Sequence, residues 1–98
     1  MKKKILIADK LIQPFEKVYK LKFNVDCLWK IKTKSNSLEH EAVIVTGGFK
    51  TNKHFLKKFK NLKIVSVFGV GYDGVDVDYC KKNRIQVTNT PDILTNDV

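Results

Sequence analysis

Apolar residues recur along this chain in short runs separated by polar stretches. Ile5-Leu6-Ile7-Ala8 runs without alternation, as strands buried on both faces of a sheet do. Pro14 suits the first turn of a helix. Phe15, Val18, Tyr19 and Phe23 follow at spacings that share one helical face. Val25 to Trp29 predicts a second strand and residues 30–41 a polar loop. Ala42-Val43-Ile44-Val45 predicts a third strand, stopped by Thr46-Gly47-Gly48. Asn52 is placed to cap a helix whose apolar face is Phe55, Leu56 and Phe59. Lys63 to Phe68 predicts a fourth strand. Asp76 is placed to cap a short helix carrying Val77, Tyr79 and Cys80, and Ile85-Gln86-Val87 predicts a fifth strand.

Strands that alternate with helical stretches form βαβ units. The expected fold is α/β and flavodoxin-like. Its five-stranded, mostly parallel sheet has the order 2-1-3-4-5, with helices on both faces. Ligands of such sheets bind beyond the carboxyl ends of the strands, near the switch in strand order. Here those ends carry Asp9, Thr46-Gly47-Gly48, Gly69-Val70-Gly71 and Asn89-Thr90. Glycines at two of the four are the first functional signal.

Length narrows the function. With 98 residues, 43% of them hydrophobic, the chain can fill one small core. That leaves little room for a two-domain cofactor enzyme. The net charge of +9 suggests nucleic acid, but all the basic residues except Arg84 are lysine. Readers of nucleic acid usually lean on arginine for bidentate contacts. From Lys63 onward, five aspartates face Lys63, Lys81, Lys82 and Arg84, so the most motif-rich third is the least basic. A lysine-rich solvated surface is the expectation, with no nucleic-acid partner. Cys27 and Cys80 form no CxxC pair, and His40 and His54 lack zinc-ligand spacing from them. Buried free thiols, no metal site and a cytoplasmic location are expected. No apolar stretch approaches the ~20 residues needed to span a membrane, so no membrane partner is expected.

Gly69-Val70-Gly71-Tyr72-Asp73-Gly74 matches G-x-G-x-x-G, and Asp92 lies near the distance expected of a ribose-binding acid. Three features oppose a dinucleotide loop. The motif follows the fourth predicted strand rather than the first. Asp73 and Asp76 stand close to where a pyrophosphate would sit, and Asp92 follows Pro91, outside the strand. A backbone nest for a small anion is favoured, and a purely structural turn stays open.

Leu62-Lys63-Ile64-Val65, the run Gly69 to Asp73, Val75-Asp76, Val87-Thr88-Asn89-Thr90-Pro91, Leu94-Thr95 and Asp97-Val98 together resemble the D-isomer-specific 2-hydroxyacid dehydrogenases. The nearest flavour is the glyoxylate, hydroxypyruvate or hydroxyphenylpyruvate reductases. The resemblance is strong over residues 42–98 and rests on a strand–helix–strand pattern before that.

It implies a substrate-binding (catalytic) domain over residues 1–91 and the start of an interdomain hinge helix over 92–98. The nucleotide-binding domain would be absent. Gly69, Val70 and Gly71 would hold the substrate carboxylate, with Val70 and Gly71 N–H as donors. Thr46, Gly47 and Gly48 would line the same cleft. Thr95 and Val98 would approach the cofactor, NAD or NADP in an intact and homodimeric enzyme, which this chain would not bind tightly. The family's arginine and His–Glu pair have no counterpart here. Arg84 reads as solvated, and His40 and His54 as surface residues far from the glycine loop. No catalytic residue is therefore assigned, and the chain is expected to be inactive alone. The alternative is a stand-alone flavodoxin-like module that binds a small carboxylate or a protein.

Overall fold

In a computed structural model, described here for residues 3–31, 38–68 and 74–89, the apolar runs become one sheet. Its strands are β1 (Lys4–Ile7), β2 (Asn24–Cys27), β3 (Ala42–Thr46), β4 (Ile64–Phe68) and β5 (Gln86–Asn89). The order is β2-β1-β3-β4-β5 and every pairing is parallel. This is the flavodoxin-like order expected, with the switch between β1 and β3.

Among the described residues three short α-helices flank the sheet: α1 (Glu16–Lys20), α2 (Lys53–Leu56) and α3 (Val77–Lys82). The core divides accordingly. Leu6, Val43, Val45, Val65 and Val67 pack on one face with Leu56, Phe59 and Cys80 from the α2 and α3 side. Ile5, Ile7 and Ile44 pack on the other with Ile12 and Tyr19. Residues alternate between these faces along each central strand, so the strand interiors are apolar except for the buried Ser66 of β4. Each large aliphatic side chain fully buried this way contributes about 1.5–3 kcal/mol.

The predicted caps form. Asn52 accepts from Phe55 N–H at 3.0 Å and Asp76 from Tyr79 N–H at 3.0 Å. The first helical stretch differs from expectation. Asp9 caps it by accepting from Leu11 N–H at 2.9 Å, and a 3₁₀ segment (Lys10–Phe15) precedes α1. The tighter winding turns the chain, so the buried face is Ile12, Glu16 and Tyr19, while Phe15 and Val18 are exposed. β2 stops at Cys27, and Leu28–Lys30 forms a 3₁₀ turn.

The 30–41 stretch is less polar in its placement than in its composition. Leu38 is buried, and its backbone brackets Phe59: Leu38 N–H donates to Lys58 O (2.6 Å), and Lys60 N–H to Leu38 O (2.9 Å). His40 is buried as well, against the surface role expected of it. Its Nε2 lies 2.7 Å from Asp26 Oδ2, and its ring meets Phe59 edge-on. Cys27 and Cys80 are buried free thiols. Burial pushes both upward from the ordinary thiol range.

Candidate active-site cleft

Thr46 and Phe68, the last residues of β3 and β4, are in register, so the two strands end side by side just before their glycines in the sequence. From Thr46 the chain reverses at once, and Phe49 N–H donates to Thr46 O at 3.1 Å. Gly47 and Gly48 form the tip. Gly48 is exposed, with open space where a side chain would stand.

The far end of the other segment returns to the same turn. Thr51 N–H donates to Gly74 O (2.6 Å), and Asp76 N–H donates to Thr51 O (3.0 Å). Thr51 is fully buried between them. A Cβ on Gly74 would stand 2.1 Å from Phe49 O and 2.8 Å from Gly47 O. Only glycine permits that approach. The third glycine of the G-x-G-x-x-G match therefore serves to seat the 46–49 turn. The structure thus brings Gly47 and Phe49 against Gly74, with Gly48 lining the same cleft, while Thr46 lies at the strand end just before the turn. Gly69, Val70 and Gly71 lie outside the described residues, as do Thr95 and Val98.

A third strand end joins this edge. Ala8 N–H donates to Ile44 O at 2.9 Å, which brings the end of β1 beside β3. Asp9 Oδ2 then accepts the Thr46 hydroxyl, while its Oδ1 caps the 3₁₀ segment. The Phe15 and Phe68 rings meet nearby, their centroids 4.7 Å apart and their planes tilted by 44°.

The cleft beside the turn holds about 550 Å³ and is lined by Gly47, Gly48, Lys50, Asn52, Gly74 and Asp76 among others. Lys50 is its cation. Nothing in the sequence separates Lys50 from the other lysines, so only the fold reveals it. Asn52 and Asp76 spend their acceptors on the first turns of α2 and α3. A larger cleft of about 790 Å³ opens at the opposite end, lined by Lys3, Lys4, Lys60 and Lys63 with Glu39 and Glu41. Its charges pair locally, Lys4 with Glu39 at 3.6 Å and Lys63 with Glu41 at 3.2 Å. It lies at the amino ends of the strands, opposite the carboxyl-end edge where ligands of such sheets bind as a rule.

Asp76 also tests the dinucleotide reading. Its carboxylate occupies the start of α3, where a pyrophosphate would need the helix N–H groups. With Gly74 committed to the turn, the described residues do not fit a dinucleotide. Nor do three His, Cys, Asp or Glu side chains gather into a metal site among them. No described helix is long and apolar enough to cross a membrane. Arg84 is exposed, as expected. His54 is exposed too, but nearer the cleft than expected. With Asn52 and Asp76 it lines an adjoining depression of about 340 Å³.

The model of the D-isomer specific 2-hydroxyacid dehydrogenase catalytic domain matches residues 4–98. The chain belongs to this family. Among its relatives, glyoxylate/hydroxypyruvate reductase A of Arabidopsis thaliana is 39% identical over 82 residues, covering 79% of this chain and 26% of the relative. Glyoxylate reductase of Thermococcus litoralis is 32% identical, covering 97% of this chain and 30% of the relative. The solved 2-hydroxyacid dehydrogenase of Ketogulonicigenium vulgare Y25 superposes with a TM-score of 0.78 at 30% identity, over 99% of this chain and 32% of that one. This chain therefore spans about a quarter to a third of the length of these family members. Membership does not favour the regulatory-module alternative.

Proposed function

We propose that this chain is the substrate-binding domain of an NAD(P)-dependent 2-ketoacid reductase. Its task is to hold the substrate carboxylate between the Thr46–Gly48 turn and the Gly69–Gly71 segment. The observation that carries this reading is the close seating of Gly74 on the 47–49 turn, in a chain of this family. It sets the residue that follows the second glycine-bearing segment on the first glycine turn, at the edge where parallel sheets bind ligands.

Backbone N–H groups suit a carboxylate because they are fixed dipoles that need no counter-charge. Lys50 at the cleft margin adds attraction for an anion. In this reading Val70 and Gly71 N–H are further donors. The nicotinamide cofactor, NAD or NADP, supplies the hydride and is held by a separate nucleotide-binding domain. The residues that protonate the substrate oxygen belong to that domain too. Thr95 and Val98 approach it from the hinge, and the intact enzyme is a cytoplasmic homodimer.

Amide NMR of the 98-residue chain titrated with glyoxylate or hydroxypyruvate tests this. The expected result is a set of shifts at Gly47, Gly48, Lys50 and the Gly69–Gly71 segment, with no NADH oxidation by the chain alone. Shifts confined to the Lys3, Lys4, Lys60 and Lys63 cleft, or no shifts at all, would overturn it.

A further inference from the structure

The two faces of the sheet are covered unequally. Crossovers between parallel strands are right-handed. Stepping outward from β1 to β2 and then back towards β5 therefore puts helices on opposite faces. The Ile5 and Ile44 face carries α1 as its only described α-helix, while α2 and α3 pack on the other. Ile5, Ala42 and Ile64 stand opposite one another across β1, β3 and β4, so they share that face with Ile44. Between them and the rings of Tyr19 and Phe23 is a cavity of about 170 Å³. Its walls are apolar and its rim is charged, with Lys3, Glu41 and Lys63. Glu41 pairs with Lys63 at 3.2 Å, whereas the Lys3 ammonium pairs with no described residue. The same three residues line the lysine-rich cleft at the amino ends of the strands, so the two spaces adjoin.

We infer that this cavity binds a small amphipathic carboxylate, with its alkyl tail against Tyr19, Phe23 and Ile44 and its head beside Lys3. The volume sets the tail. An apolar cavity of about 150 Å³ accepts benzene, so a tail of about five carbons fits. A carboxylate is too costly to desolvate among apolar walls and stays at the rim. There the uncompensated charge of Lys3 selects an anion. The cavity lies towards the opposite end of the sheet from the Gly47–Gly48 turn, so its ligand is a second molecule, distinct from the ketoacid of the proposed reaction. It does not depend on that reaction.

Amide NMR titration of the chain with hexanoate tests this, with butanoate beside it. Hexanoate should shift Ile5, Ala42, Ile44 and Ile64 and leave Gly47, Gly48 and Lys50 in place. Butanoate is two methylenes shorter and should bind about fifteenfold more weakly, since each buried methylene is worth about fourfold. Lys3→Gln changes an exposed residue and should weaken hexanoate about threefold, as should added salt. Ala42→Ile would extend a wall into the cavity and should abolish binding. Should that variant fold poorly, the tail-length ratio and Lys3→Gln decide. Equal binding of the two acids, shifts confined to the glycine turn, or no saturable shifts would overturn the proposal. So would cavity signals that move with protein concentration before hexanoate is added, because a second copy of the chain would then fill the space.

Discussion

Gly74 and Phe49 meet so closely that the first carbon of any side chain on Gly74 would stand 2.1 Å from the Phe49 carbonyl oxygen. The obstacle is backbone, held by the Thr51–Gly74 and Asp76–Thr51 hydrogen bonds, so it cannot rotate aside. Gly74→Ala is expected to part the two segments and cost about 1–3 kcal/mol, in the range of an overpacked core position. Urea unfolding of the variant beside the native chain measures this. A loss under ~0.5 kcal/mol would mean that the two segments are not seated as described.

Arg84 is exposed and touches no site, yet its backbone closes α3. Its φ of 59° lies in the left-handed region. Around it Ile85 N–H donates to Cys80 O (2.8 Å) and Arg84 N–H to Lys81 O (3.3 Å), the paired bonds that end a helix at a residue usually glycine. An L residue there costs roughly 1–2 kcal/mol. Glycine recovers that, less its greater entropy loss on folding. Arg84→Gly should therefore stabilise the chain by about 0.5–1 kcal/mol, read as a melting temperature higher by a few degrees.

Glu16 sits on the buried face of α1, where its carboxylate meets Lys20 at 2.8 Å and Lys30 at 3.3 Å. The hydrogen bond from Lys20 is the main cause of a pKa lowered to about 2, against an opposing effect of burial. A carboxylate lowered on folding stabilises the folded state above its unfolded value of about 4.5 and loses that contribution as pH falls towards 2. Both lysines are half exposed, so solvent screening limits the gain to about 1–2 kcal/mol. Stability followed from pH 6 to pH 2 should show this loss, and Glu16→Gln should remove most of it. The same substitution should bring the Cys27 thiol down, because the Glu16 carboxylate is one of the causes that raise it.

The sheet was legible because its strands are apolar runs with glycines or caps at their ends; the caps follow from local chemistry and the strand order from the βαβ architecture. His40 shows what was not legible. It stands between Glu39 and Glu41 in a polar stretch, so periodicity assigns it to the surface. Its burial comes from the crossover between β2 and β3, which lays the 38–41 segment over Phe59 and brings Asp26 within hydrogen-bond reach. No window of sequence contains residues 26, 40 and 59 together. The Asp9–Thr46 contact is hidden in part: the expected order puts β1 beside β3, but only the register, Ile7 opposite Ile44, sets the two strand ends level so that the side chains meet. His40→Ala should leave Asp26 without its partner and a gap beside Phe59, costing about 1–3 kcal/mol in urea unfolding.

Gly48 separates folding from binding. Nothing stands within 4 Å of where its Cβ would be, in contrast to Gly74, so a methyl fits without displacing any described atom. Gly48→Ala should leave stability unchanged or raise it by up to ~1 kcal/mol, since the unfolded chain loses freedom. The methyl would, however, stand beside an N–H group offered to a carboxylate, where a bare backbone allows close approach. Affinity for glyoxylate should therefore fall several-fold while the melting temperature holds. A variant that melts and binds like the native chain would show that the carboxylate sits elsewhere than on this turn. A variant that loses both would mean that the turn is packed rather than open.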